Sequence, residues 1–213
     1  MGNKTNPIGI RLLLRSNWED AIYAKSRDYT EFLYLNHRVR NYLMVRYKRY
    51  GLIGVNIKQE GSSYLVLLEI DDTDLFYSVI YRNSKQICNE LKEIFWTDSK
   101  VFVKQSECAD YHPIVIASKI ANDILSNNAT IKSSVRQTAK SLVGFSIVGL
   151  KASYSGRIYG ADIAQTVWHI EGRIPLHTFS ADIRYTSVSI KTNYGICNLK
   201  VWICVDDITT KNS

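Results

Sequence analysis

Apolar positions fall into two kinds of period along the chain, and the changes between them mark out its elements. From about Asp28 to Tyr50, Phe32, Leu35, Val39, Leu43 and Tyr50 recur at helical spacing. This predicts an amphipathic helix ending at Gly51, with Arg38, Arg40, Arg46, Lys48 and Arg49 crowding its second half. Ile53, Val55 and Ile57 then alternate with polar neighbours. Tyr64 to Ile70 is a second apolar run set off by Gly61-Ser62-Ser63, so the two read as a β-hairpin. A helix with Asn83 or Ser84 as its cap and Ile87, Leu91 and Ile94 on one face follows, and then a strand from Val101 to Val103.

The C-terminal half repeats the alternation of periods. Pro113 opens a helix whose stripe is Ala117, Ile120, Ala121 and Ile124, and Asn127-Asn128 break it. A second helix is expected from about Thr130 to Ser146, burying Ile131, Val135, Thr138 and Leu142. Four strands follow at roughly 150–155, 161–170, 179–191 and 196–205, the last with Lys200, Trp202 and Cys204 alternating against Val201, Ile203 and Val205. Two helices backing an antiparallel sheet make an α+β layer. The segment up to Trp18 has Pro7, Gly9 and little periodicity, so it is expected to be an extended arm ordered by an outside surface. The last residues, from about 207 to 213, are expected to be disordered.

Charge sharpens this outline. The net charge of +7 is unevenly spread, with 11 basic and 5 acidic side chains in residues 1–60, 5 and 9 in residues 61–110, and 11 and 6 in residues 111–213. Polyanion contact is therefore expected at the two ends and not in the acidic middle. Cys88, Cys108, Cys197 and Cys204 form no C-x-x-C pair and lie near no His at zinc spacing, so they are read as buried free thiols and no metal is expected. No apolar run approaches the ~18 residues of a membrane span. A myristoylation signal would need Ser or Thr where Asn6 stands. His169, Glu171 and His177 fit no H-E-x-x-H spacing, and strand alternation puts only His169 and Glu171 on one face. With no Gly-rich phosphate loop or nucleophile elbow either, no catalytic residue and no cofactor is expected.

The succession SGRIYGADIAQT (155–166), EGRIPLHT (171–178), SADIRY (180–185) and TNYGICNLKVWICV (192–205) resembles the C-terminal domain of bacterial-type small-subunit ribosomal protein three, and the opening MGNKTNPIGIR is similar to that family's start. Both ends match in order, so the resemblance spans essentially the whole chain. It implies a helical lead-in and type II KH-like domain at 19–106, behind an arm at 1–18, and a C-terminal ribosomal domain at 107–206. It also implies a place in the head of the small ribosomal subunit beside the mRNA entrance, on rRNA. The neighbours would be the tenth and fourteenth small-subunit proteins, with the fourth and fifth completing the entrance. The family's opening starts at Met1, so no transit peptide is expected. The Asn, Ile, Tyr and Lys richness and the eroded motifs, including Leu13 where the family has Gly, point to an organelle genome. The segments WTDSK (96–100) and TNYGICNLKVWIC favour a mitochondrion, with a plastid or a bacterial cytoplasm as alternatives.

Several residues carry the expected RNA contacts. Lys132, Arg136 and Lys140, spaced four apart, share one face of a helix. That face is either simply solvated or, as the resemblance implies, lines the mRNA entrance and helps part incoming duplex; Ser133 stands where the family has Arg. Arg157 and Arg173 each follow a glycine in a turn suited to bidentate phosphate contact, and the resemblance sets them, with His177, toward head rRNA and neighbouring proteins. Gln165 and Ser180 replace further family arginines, which thins that footprint. Lys4 and Arg11 of the arm are the other pair expected on rRNA. The G-x-x-G loop with which KH domains clamp RNA corresponds to Tyr81, Arg82, Asn83 and Ser84, without either glycine and downstream of Asp71, Asp72 and Asp74, so the module is expected to fold without clamping. Two other readings remain, a free-standing RNA-binding regulator, which would need a working clamp, and a nucleic-acid-processing enzyme, since some eukaryotic relatives are reported to cut damaged DNA.

Overall fold

The computed structural model describes residues 4–12, 14, 18, 20, 23–47, 52–60, 63–70, 85–94, 99–105, 111–127 and 130–205. The chain forms two compact units, Trp18–Ala109 in one and Met1–Asn17 with Asp110–Ser213 in the other.

In the unit formed by Trp18–Ala109, helix α1 (Tyr29–Tyr47) precedes an antiparallel hairpin of β1 (Leu52–Glu60) and β2 (Ser63–Ile70). Helix α2 (85–94) then leads to β3 (Ser99–Gln105), which pairs parallel to β2 and gives the sheet order β1-β2-β3. Strict alternation along β2 buries Tyr64, Val66, Leu68 and Ile70 on one face. They meet Val39, Leu43 and Tyr47 of α1 and Ile87 and Leu91 of α2 in a single core. Tyr47 fills the inward position for which Tyr50 was expected; Tyr50 lies outside the described residues. The lead-in is tied down by Asp20, whose carboxylate accepts from the Ile57 backbone N–H at 2.8 Å and pairs with Arg40.

In the other unit, α3 (Pro113–Asn127) and α4 (Ile131–Ser141) cover one face of a fully antiparallel sheet. Its strands are β4 (Ile147–Gly156), β5 (Gln165–Gly172), β6 (Asp182–Thr192) and β7 (Gly195–Val205), in the order β5-β4-β7-β6. The inward residues of central β7, Cys197, Leu199, Val201, Ile203 and Val205, pack under Ile116, Ile120 and Val135 of the helices.

Several boundaries differ from the sequence expectation, among them the start of β4 at Ile147 and not near 150, and three of the differences have a local reason. Helix α4 stops at Ser141 and not near Ser146, because the Leu142 N–H turns back to Thr138 and Ala139 and Gly144 takes φ +110°. Strand β5 begins at Gln165 and not near 161, because residues 158–160 form a 3-10 turn in which Tyr159 has φ 55°. Strand β6 begins at Asp182 and not near 179, because the carbonyls of Leu176, Thr178 and Ala181 are spent on a side chain from the other end of the sequence.

That side chain is Arg11, and it corrects the expectation for the N-terminal arm. Its guanidinium is 2% exposed and donates to the carbonyls of Ala181 (Nε, 2.9 Å), Pro7 (Nη1, 3.0 Å), Leu176 (Nη2, 3.2 Å) and Thr178 (Nη2, 2.9 Å). A cation held by four carbonyls and shielded from solvent acts as a structural clamp, which accounts for four of its five N–H donors within the chain. The arm therefore docks on its own C-terminal unit and needs no outside surface to order it near Arg11.

Candidate nucleic-acid interface

Helix α4 presents its cations because its other face is committed. Ile131, Ser134, Val135 and Thr138 are buried, and this leaves Lys132, Arg136 and Lys140 exposed in one row. The Thr130 side chain caps the helix by accepting from the Ser133 N–H, so Ser133 contributes to the cap region of that face. Arg136 is partly engaged, since its Nε lies 3.0 Å from Glu171 Oε1 on β5. The same oxygen lies 2.7 Å from His169 Nε2. The hydrogen bond from His169, then that from Arg136, holds the Glu171 carboxyl below the usual carboxylate range. His169 and Glu171 thus share a face, while His177 lies exposed in the turn after β5. Among the described residues no group of three His, Cys, Asp or Glu side chains could hold a metal ion.

The Gly-Arg turns differ from one another. Arg157 folds back, with Nε 2.8 Å from the Ala161 carbonyl and Nη2 3.8 Å from Asp162, and still leaves part of its fork open. Arg173 projects from a tighter bend. Gly172 has φ +77°, and a Cβ there would stand 2.3 Å from the Val148 carbonyl oxygen, so only glycine allows β5 to close against β4 before Arg173 turns outward. Arg173 and His177 are exposed, as is Lys4. The loop at Tyr81, Arg82, Asn83 and Ser84 lies outside the described residues, as do Leu13, Cys108 and the tail at 206–213.

Residues 120–203 match the family described as ribosomal protein S3, C-terminal domain. Over nearly its full length the chain is also similar to proteins named small ribosomal subunit protein uS3. It is 29% identical over 208 residues to that of Vesicomyosocius okutanii (98% of this chain, 90% of the relative). It is 29% identical to that of Pseudoalteromonas atlantica (95% and 87%) and 29% identical to that of Lawsonia intracellularis (99% and 98%). The chain is thus similar to bacterial-type ribosomal protein S3 over nearly its full length, with the family match itself confined to residues 120–203.

Sequence reasoning missed one part of the surface of the C-terminal unit. On the sheet face away from the helices, Lys151 Nζ lies 5.6 Å from the ring centroid of Trp168 and 5.1 Å from that of Trp202. Trp202 in turn meets Tyr185, with centroids 5.3 Å apart. Period-two alternation places each of these residues outward on its own strand, but only the register brings them together, because Lys151, Trp202 and Tyr185 are direct cross-strand partners. Burial, then the neighbouring charge of Lys4, holds the Lys151 ammonium below its ordinary pKa.

Proposed function

We propose that this chain is a structural constituent of the small ribosomal subunit that binds rRNA and neighbouring ribosomal proteins and catalyses no reaction. The near-full-length similarity to proteins named small ribosomal subunit protein uS3 carries this reading. The surface chemistry agrees with it. Lys132, Lys140, Arg173 and Lys4 are exposed cations on the C-terminal unit, and four such charges neutralise phosphates and release counterions without any catalytic machinery.

In finer detail, the proposed seat is the subunit head at the mRNA entrance. There Lys132, Arg136 and Lys140 face incoming message, while Arg157, Arg173 and His177 face rRNA or protein. The tenth and fourteenth small-subunit proteins are the proposed neighbours, with the fourth and fifth across the entrance. The unit at Trp18–Ala109 keeps the helix and strand order of a KH module, and the glycine-free sequence Tyr81-Arg82-Asn83-Ser84 supports a docking role for it without a clamp on single-stranded RNA. Erosion at Ser133, Gln165 and Ser180 supports an organelle copy, with the mitochondrion favoured over a plastid and a bacterial cytoplasm as the remaining alternative.

The test is sedimentation of native extract, fractionated by compartment. The chain is expected with small subunits of the mitochondrial fraction and is expected to stay there at moderate salt. A mainly free pool would overturn the ribosomal reading, and recovery only from another compartment's ribosomes would overturn the organelle assignment.

A further inference from the structure

The two faces of the C-terminal sheet are built from different chemistry. The helix-covered face carries the acids of this sheet, Glu171 and Asp182, and the aliphatic core. The outward positions of β4 to β7, fixed by the pairing register, include Lys151, Lys191 and Lys200 and not a single Asp or Glu. Ser, Thr and Asn share the other positions with Gly, Ile and Cys, and Ile183 and Cys204 at one end of this face are buried.

Across this face runs one continuous row. Tyr185 on β6 packs on Trp202 of β7, Trp202 meets the Lys151 ammonium of β4, and Lys151 meets Trp168 at the edge on β5. The row crosses all four strands, about 14 Å at the usual strand spacing. Trp168 is 61% exposed, a large cost in apolar surface for a residue that supports no core. Lys151 carries its charge in partly dehydrated surroundings beside a second cation, Lys4, with no carboxylate at the outward strand positions to offset either.

We propose that this open face is a base-stacking platform for unpaired RNA, taking two or three successive nucleotides with one base on Trp168 and the adjoining phosphates on Lys151, Lys200 and Lys4. Stacking suits this row because every base has a π-face, and a flat sheet carrying spaced aromatics, amide and hydroxyl groups and lysines supplies both the platform and the backbone neutralisation. Duplex RNA offers no such bases, since its rings are paired and stacked inside the helix.

The inference rests on the ribosomal reading only for the source of the RNA, and two measurements keep the two apart. The purified full-length chain is titrated with an eight-nucleotide oligoadenylate while tryptophan fluorescence and anisotropy are followed. Binding is expected to quench fluorescence, Trp168→Ala is expected to weaken it about ten- to a hundred-fold, and Trp168→Phe is expected to restore most of it. The melting temperatures of both variants should match that of the parent, since Trp168 lies largely in solvent. Equal affinity of Trp168→Ala and the parent overturns the platform. In small subunits, a benzophenone crosslinker placed at position 168 is expected to yield RNA adducts. Adducts only to protein would assign the face to a protein partner and overturn the inference while leaving the subunit assignment intact, whereas failure of the chain to sediment with subunits would overturn that assignment and not the oligonucleotide result.

Discussion

Arg11 and His112 show how far one side chain's role depends on where it is seated. As a sequence letter Arg11 is one more cation in a basic arm; in the fold it is a four-carbonyl clamp between Pro7 and the segment from Leu176 to Ala181. Arg11→Ala leaves those carbonyls without their charged donor, and the expected loss is on the order of 3 kcal/mol in urea denaturation, with RNA affinity of the folded chain unchanged. Arg11→Lys is not expected to rescue, because an ammonium lacks the planar fork that reaches separate acceptors. His112 precedes Pro113, and its Nδ1 accepts from the Ile114 N–H at 3.4 Å at the start of α3. Burial, then the nearby Arg184 charge, pushes its pKa down from 6.5 to about 4. Above pH 6.5 both folded and unfolded chains hold it neutral and its contribution to stability is complete. As pH falls from 6.5 to 4 the unfolded chain takes up a proton that the folded chain refuses, so stability drops by up to about 3 kcal/mol and levels off below that window. His112→Asn, which can still cap the helix, is expected to flatten this part of the stability profile measured by denaturant titration from pH 7 to 4.

At the scale of elements, the strands of the C-terminal sheet and both of its helices are legible because their periods are unambiguous. Leu199, Val201, Ile203 and Val205 alternate without interruption, and Ile131, Val135, Thr138 and Leu142 keep one helical face. Their ends are less legible, since the ends depend on turn geometry at Gly144 and Tyr159 and on Arg11 drawing off carbonyls that an isolated segment would offer to a ladder. The basic row on α4 is legible too, but not the Glu171 carboxylate that engages its middle member, because β5 lies 35 residues further on. If that row meets incoming message, Lys132→Ala with Arg136→Ala is expected to slow translation through hairpin-containing mRNA about tenfold more than through unstructured mRNA, since removing a cation from a phosphate weakens the grip on the strand and flattens its salt dependence by about one unit of slope. Subunit assembly should be unaffected, because both side chains are exposed and neither supports the core. Equal slowing on both messages, read in a reconstituted elongation assay, would remove α4 from the entrance.

For the whole molecule, the sequence reveals two halves with separate cores but not which half owns the first residues. Composition assigns the segment before Trp18 to no core, because its anchoring is polar and is completed by groups 165 to 170 positions away, which no local window can register. The aromatic row on the open sheet face is hidden for the same reason, being a property of strand register and not of any one strand. The residues from Met1 to Asn17 belong with Asp110–Ser213, so the intervening unit is an insertion between two parts of one body. During synthesis this order imposes a delay: the leading end of the chain emerges first yet has no seat until Leu176 to Ala181 have been made, and it must wait while the middle unit folds ahead of it. Nascent chains halted before that stretch would therefore trail a loose, protease-sensitive beginning that becomes protected only near the completion of translation.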